Sequence, residues 1–117
     1  MDLQDIMRKY FRISVKGSDN LSIKINNVPY GMVDVGDRGI GIRLTPEDIF
    51  FFVGDELPIQ LMIEGRQHDL RGKVVHINLA GPEEYLCGIE FTNIDDKTKK
   101  ELMAYLQACR EKIFKEE

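Results

Sequence analysis

Positive charge is scarce in this sequence: 16 lysines and arginines against 20 aspartates and glutamates leave a net charge of −4 over 117 residues. General nucleic-acid binders display a basic field, so a nucleic-acid polymer is not an expected partner. Any anion site must be local, built from a few arginines. The aromatic strand face that a small RNA-binding barrel uses for stacking is also missing. No apolar run approaches membrane-spanning length, so membrane insertion is not expected. The start, Met1-Asp2-Leu3-Gln4-Asp5, is acidic and lacks the basic and apolar regions of a signal peptide, which makes the cytoplasm the expected location. Cysteine is sparse too. Cys87 and Cys109 fall inside expected regular elements without metal-ligand spacing, and read as reduced core residues. His68 and His76 have no cysteine or carboxylate at ligand spacing and no nucleophile motif beside them. No enzyme, metal or cofactor is expected.

What is present is β-patterning. The length suits one domain, residues 1–117, with a single hydrophobic core. Residues 1–7 read as a short lead-in, within an N-terminal segment, 1–12, that precedes the barrel. Ile13 and Val15 begin an extended pattern, and residues 17–20 read as a turn. Leu21, Ile23 and Ile25 alternate with polar residues, as a half-buried strand does. A hairpin turning near Asn27 leads to a third strand over Tyr30 to Val35. Ile40, Ile42 and Leu44 resume the alternation after two glycines. Pro46 at a first helical position suggests one helical turn. Phe50-Phe51-Phe52-Val53 is the most apolar local run, followed by a turn at Gly54-Asp55.

Leu57, Ile59, Leu61 and Ile63 make the next strand, with a hairpin loop over Glu64–Gln67. Val75, Ile77 and Leu79 are expected on one strand face, leaving His76 on the opposite, solvent side. After a turn at residues 81–83 come Tyr85, Cys87, Ile89 and Phe91. The period then changes. Leu102, Leu106, Cys109 and Ile113 recur at helical spacing behind an Asp95 N-cap, giving a helix over 95–115. Six or seven short strands joined by short loops argue for an antiparallel barrel over 13–92, which also removes exposed sheet edges. The helix would pack on the barrel or plug one end.

Two short stretches stand out chemically. Arg8 and Arg12 lie four apart, so their side chains share a face in either an extended or a helical segment, about 13 Å or about 6 Å apart. Guanidinium forks pair bidentately with phosphate and with guanine O6 and N7. About two dozen residues later comes Asp34-Val35-Gly36-Asp37-Arg38-Gly39. A carboxylate there can accept from guanine N1 and N2, or simply cap the turn its glycines make. Gly36 and Gly39 mark a turn, a bulge or a close backbone approach.

Arg8-x-x-x-Arg12 followed by Asp34-x-Gly36-x-x-Gly39 resembles the paired signature of PilZ domains, RxxxR and then D/NxSxxG. The resemblance covers nearly the whole chain. Gly54-Asp55-Glu56-Leu57 and its apolar strand are similar to the family's middle section. Cys87-Gly88-Ile89-Glu90-Phe91, leading into a helix with Leu102 and Tyr105-Leu106, is similar to its end. The resemblance implies a six-stranded antiparallel β-barrel with a C-terminal amphipathic α-helix. It implies a non-enzymatic receptor for cyclic di-GMP that regulates a protein effector in motility, pilus function, exopolysaccharide synthesis or virulence. Arg8 and Arg12 would grip the ligand from a flexible N-terminal segment, with Asp34, Gly36 and Gly39 on the barrel side.

Two departures matter. Gly36 replaces the motif serine, and Met7 stands where many members carry another arginine. The first implies weaker binding, and the second one ligand per chain rather than a stacked pair. The alternative is a degenerate PilZ domain without nucleotide binding, acting through protein contacts, for example in type IV pilus assembly. Such members usually lose the arginine pair, which this chain keeps. The helix or an exposed part of the Phe50–Phe52 run would then meet the effector. A monomer or weak homodimer is expected.

Overall fold

The computed structural model describes residues 13–14, 20–48 and 51–115, with side chains for 20–47 and 51–109. Its strands are β1 (Ile13–Ser14), β2 (Leu21–Ile25), β3 (Val28–Val35), β4 (Gly39–Leu44), β5 (Glu56–Ile63), β6 (Arg66–Gly81) and β7 (Glu84–Asn93). A 3₁₀ turn, Pro46–Asp48, follows β4, and helix α1 spans Asp96–Lys115. Local chemistry sets the hairpins. Asn26 and Asn27 sit at φ 52° and 65°, the left-handed pair that a two-residue turn demands and that asparagine tolerates. Glu64 and Gly65, at φ 49° and 83°, do the same between β5 and β6. The expected loop over Glu64–Gln67 is therefore shorter, because Arg66 and Gln67 already pair with Ile63 and Met62.

The sheet closes on itself. β2 pairs with β3 and β5, β5 with β6, β6 with β7, and β7 with β4. The β3–β4 pairing completes a ring of six antiparallel strands, with β1 added along the end of β3. The barrel with its C-terminal helix is the architecture expected from the strand pattern. Inside lie Ile23, Ile25, Val35, Ile40, Ile42, Leu44, Ile59, Leu61, Val74, Cys87 and Ile89, all nearly inaccessible. Burial pushes the Cys87 thiol up to about 11, so it stays protonated and serves as a small apolar side chain. Phe51 joins the core against Tyr30, ring centroids 5.6 Å apart, while Phe52 faces solvent.

Helix α1 packs beside β1 and β5 through Leu102 and Leu106, both buried. Its start is fixed as the sequence suggests: the Thr98 amide donates to Asp95 Oδ1 at 2.6 Å. That amide, followed by the Thr98 hydroxyl, holds the Asp95 carboxyl below its ordinary value. His68, on β6, meets this first turn. Its Nδ1 lies 3.1 Å from Thr98 Oγ1, and its Nε2 lies 2.7 Å from Glu101 Oε2. Arg66 also approaches Glu101, at 3.4 Å. Helical spacing alone did not reveal this polar seam, since both partners are defined only across elements. Among the described residues no helix is long and apolar enough to cross a membrane.

Candidate functional site

Two bulges turn key side chains outward. Period two along β3 would place Asp34 on the same face as the buried Met32. The β3–β4 register shifts between Met32 and Asp34, and Val33 is the extra residue. After it, Val35 returns to the core and Asp34 lies on the outer face. The same device acts in β6, where the register shifts between Val74 and His76. Val75 is the extra residue and is exposed, contrary to the expectation that it shares a face with Ile77. Leu79 is exposed as well. His76 lies on the outer face as expected, but it is not simply a solvated side chain.

Register explains why. Asp34 pairs with Gly41, Gly41 with Gly88, and Gly88 with His76. One row thus crosses four strands on the outer face, with an acid and an imidazole at its ends and two glycines between them. Each end folds over its glycine: a methyl on Gly41 would lie 2.7 Å from Asp34 Oδ1, and one on Gly88 would collide with the His76 ring. The Asn78 side-chain amide lies 3.2 Å from His76 Nδ1.

The motif glycines close the β3–β4 connection. The Gly36 amide donates to the Gly39 carbonyl at 2.9 Å, and the Phe91 amide donates to the Arg38 carbonyl at 2.8 Å. Gly39 is needed for close approach, because a methyl there would strike the Ile89 carbonyl oxygen. Backbone cannot yield as a flexible side chain does. Gly39→Ala is therefore expected to cost about 1–3 kcal/mol of stability, as overpacking does. Urea unfolding measures this, and an unchanged midpoint would show that the strands part freely here.

Beside this turn lies a cleft of about 240 Å³ lined by residues 36–40, Val75, His76 and residues 88–90. Gly36 and Gly39 are thus part of its wall. Asp34 is not among the lining residues; its carboxylate lies over Gly41, the register partner of Gly88, which does line the cleft. Arg8 and Arg12 lie outside the described residues. Ile13, bonded to Arg12, is paired with Val35, and Ser14 with Asp34. His76 and Glu90 were not singled out from the sequence as site residues; only the bulge and the cross-strand register bring them to the turn. No group of three potential metal ligands occurs among the described residues.

The PilZ domain model matches residues 7–108 of this chain. Among solved structures, an uncharacterized Legionella protein is 16% identical with a TM-score of 0.59, over 88% of this chain and 97% of that one. The Bacillus subtilis inhibitor of motility is 18% identical with a TM-score of 0.69, over 86% of this chain and 49% of that one. The Borreliella burgdorferi protein PlzA, solved in complex with c-di-GMP, is 12% identical with a TM-score of 0.58, over 99% and 59%. This chain therefore spans about half the length of the two proteins last named. At these identities the likeness is one of fold. No curated protein sequence matches the chain.

Proposed function

Because this chain belongs to the PilZ domain family, we propose that it is a receptor for cyclic di-GMP that regulates a protein partner by changing conformation on binding. PilZ domains are non-catalytic receptor modules. The observation that carries the reading is the β1–β3 pairing. Ile13 is held against Val35, and consecutive Cα atoms are only about 3.8 Å apart. Ile13, the residue that follows Arg12 in the sequence, is thereby set beside the Asp34–Gly39 motif, although the two are distant in sequence.

In this reading Arg8 and Arg12 grip phosphate and guanine, while Asp34 and the turn supply the barrel side of the pocket. Closure of the N-terminal segment over the ligand is the signal, read by an effector in the cytoplasm. The outputs proposed are motility, pilus function, exopolysaccharide synthesis or virulence. PlzA was solved with c-di-GMP bound, and the Bacillus relative is an inhibitor of motility, which is in keeping with that class of output.

Calorimetric titration of the purified protein with cyclic di-GMP tests the proposal. Micromolar or tighter binding is expected, and absence of binding up to millimolar ligand would overturn it. Gly36 favours one alternative, a degenerate PilZ domain acting through protein contacts alone, as in type IV pilus assembly. Gly36 is not among the glycines at positive φ, so serine can adopt its backbone. A restored hydroxyl contributes about 0.5–1.5 kcal/mol. Gly36→Ser is accordingly expected to tighten binding roughly threefold to tenfold. An unchanged affinity, in a variant that melts like the parent, would show that this hydroxyl is irrelevant here.

A further inference from the structure

Ring closure leaves part of one strand uncovered. β6 runs from Arg66 to Gly81, but β5 pairs with it only from Arg66 to Lys73. One step farther, the Gly54 amide donates to the Val74 carbonyl at 2.7 Å, and the Val74 amide donates to the Asp55 carbonyl at 2.9 Å. Beyond Val74 no described strand lies on that side, and residues 75–81 pair with β7 alone. They form a sheet edge although the barrel is closed.

Alternation tells which backbone groups this edge presents. The Phe91 amide turns toward Arg38 on the β4 side, so Gly88 turns toward β6 and meets His76. Ile77 and Leu79 then direct their amides and carbonyls to the open side. Their side chains carry the inner row past the barrel mouth. Ile77 lies opposite the buried Cys87 and Leu79 opposite Tyr85, yet Leu79 is 68% exposed. Phe52, 69% exposed, and Val53 stand on the turn bonded to Val74, at the near end of the same edge.

Natural edges are guarded by charge, proline or brevity. Val74-Val75-His76-Ile77-Asn78-Leu79-Ala80-Gly81 carries no aspartate, glutamate, lysine, arginine or proline. Despite the net charge of −4, a second copy would therefore meet no fixed like charge along this strand. The edge is also complementary to itself. With a twofold axis at Asn78, Ile77 of each copy falls opposite Leu79 of the other, so the outward-pointing backbone groups bond one another. The apolar side chains of the same residues become cross-strand pairs. This register also carries the hairpin tip of each copy, with Glu83, toward Lys73 of the other. We propose that residues 75–81 are a dimerisation edge, on which a second copy of this chain lays its own β6 antiparallel. One continuous sheet then joins the two barrels. The contact is a short ladder with a few apolar side chains, smaller than permanent interfaces, so the dimer is weak and reversible. It needs no nucleotide and stands apart from the receptor reading.

Sedimentation velocity of the full chain, without nucleotide, tests this from low micromolar to near-millimolar protein. A monomer passing into a dimer is expected. Hydrogen exchange adds a readout that side-chain contact alone would not move. The Ile77 and Leu79 amides should exchange freely in dilute protein and about tenfold more slowly once the dimer is populated. Leu79→Lys puts a charge on the edge, and Leu79→Pro removes an outward donor while sparing the bonds to β7. Each substitution enters the dimer twice, so association should weaken about a hundredfold, at roughly tenfold per copy. Leu79→Lys should melt like the parent, because Leu79 is exposed. A parent that stays monomeric throughout would overturn the proposal and leave the edge to a strand of a different protein. A dimer that survives both substitutions, or one in which the two amides exchange as fast as in dilute protein, would overturn it by placing the contact elsewhere.

Discussion

Arg12→Ala is expected to lower the affinity for cyclic di-GMP by roughly ten- to a hundredfold. A hydrogen bond to a charged group contributes about 1.5–3 kcal/mol, and 1.4 kcal/mol is a factor of ten. A guanidinium on a phosphate makes such bonds in pairs, which lysine's point charge does not reproduce. Arg12→Lys should therefore recover only part of the loss. Arg8→Ala is expected to act in the same direction. The parent's affinity should also fall with added salt, as screening weakens the phosphate contact, and the Arg12→Ala variant should respond less steeply. Calorimetry at two ionic strengths checks both claims. If Arg12→Ala binds as tightly as the parent, the arginine pair is a solvated basic segment and the proposed grip is wrong. The variant should leave thermal stability nearly unchanged, which separates lost contact from lost fold.

Leu102→Ala is expected to have the largest effect on stability, about 2–5 kcal/mol, the range for deleting a fully buried leucine side chain. Leu102 is wholly inaccessible and Leu106 nearly so, and together they hold α1 to the barrel. The polar seam cannot stand in for them. The Glu101 carboxylate that meets His68 and Arg66 is itself partly solvated, and solvated ion pairs contribute little. Gln107→Ala, on the exposed side of the same helix, serves as the comparison and should stay within about 0.5 kcal/mol of the parent. Urea denaturation of both variants provides the measurement. Equal midpoints for the two would mean that the helix contributes nothing to the cooperative core. The Asp95 cap adds a smaller, pH-linked contribution. Its carboxyl titrates lower in the folded chain, so that contribution is full above the ordinary carboxylate range and fades as pH falls through the lowered value.

Much of this protein was determined by local sequence. Alternation in Leu21–Ile25 and Leu57–Ile63 specifies half-buried strands because successive side chains must point to opposite faces. Asparagine at 26 and 27 specifies a tight hairpin, since few other residues accept two left-handed conformations in succession. Leu102 and Leu106 behind Asp95 specify a capped amphipathic helix. The order of the arginine pair and the Asp34–Gly39 stretch was legible too, and it led to the family.

Tertiary structure decided the rest. A bulge exists only relative to a partner strand, so no property of β3 or β6 taken alone reveals that Val33 and Val75 are unpaired residues. The first insertion puts Asp34 on the outer face, where period two from Met32 would have sent it inward, and the second leaves His76 outward while exposing Val75 as well. Likewise Gly41, Gly88 and Glu90 gain meaning from residues 47 or 51 positions away that register sets beside them. Strand pairing over such separations is selected by closing the whole ring and burying its core at once, and no window of sequence contains that condition.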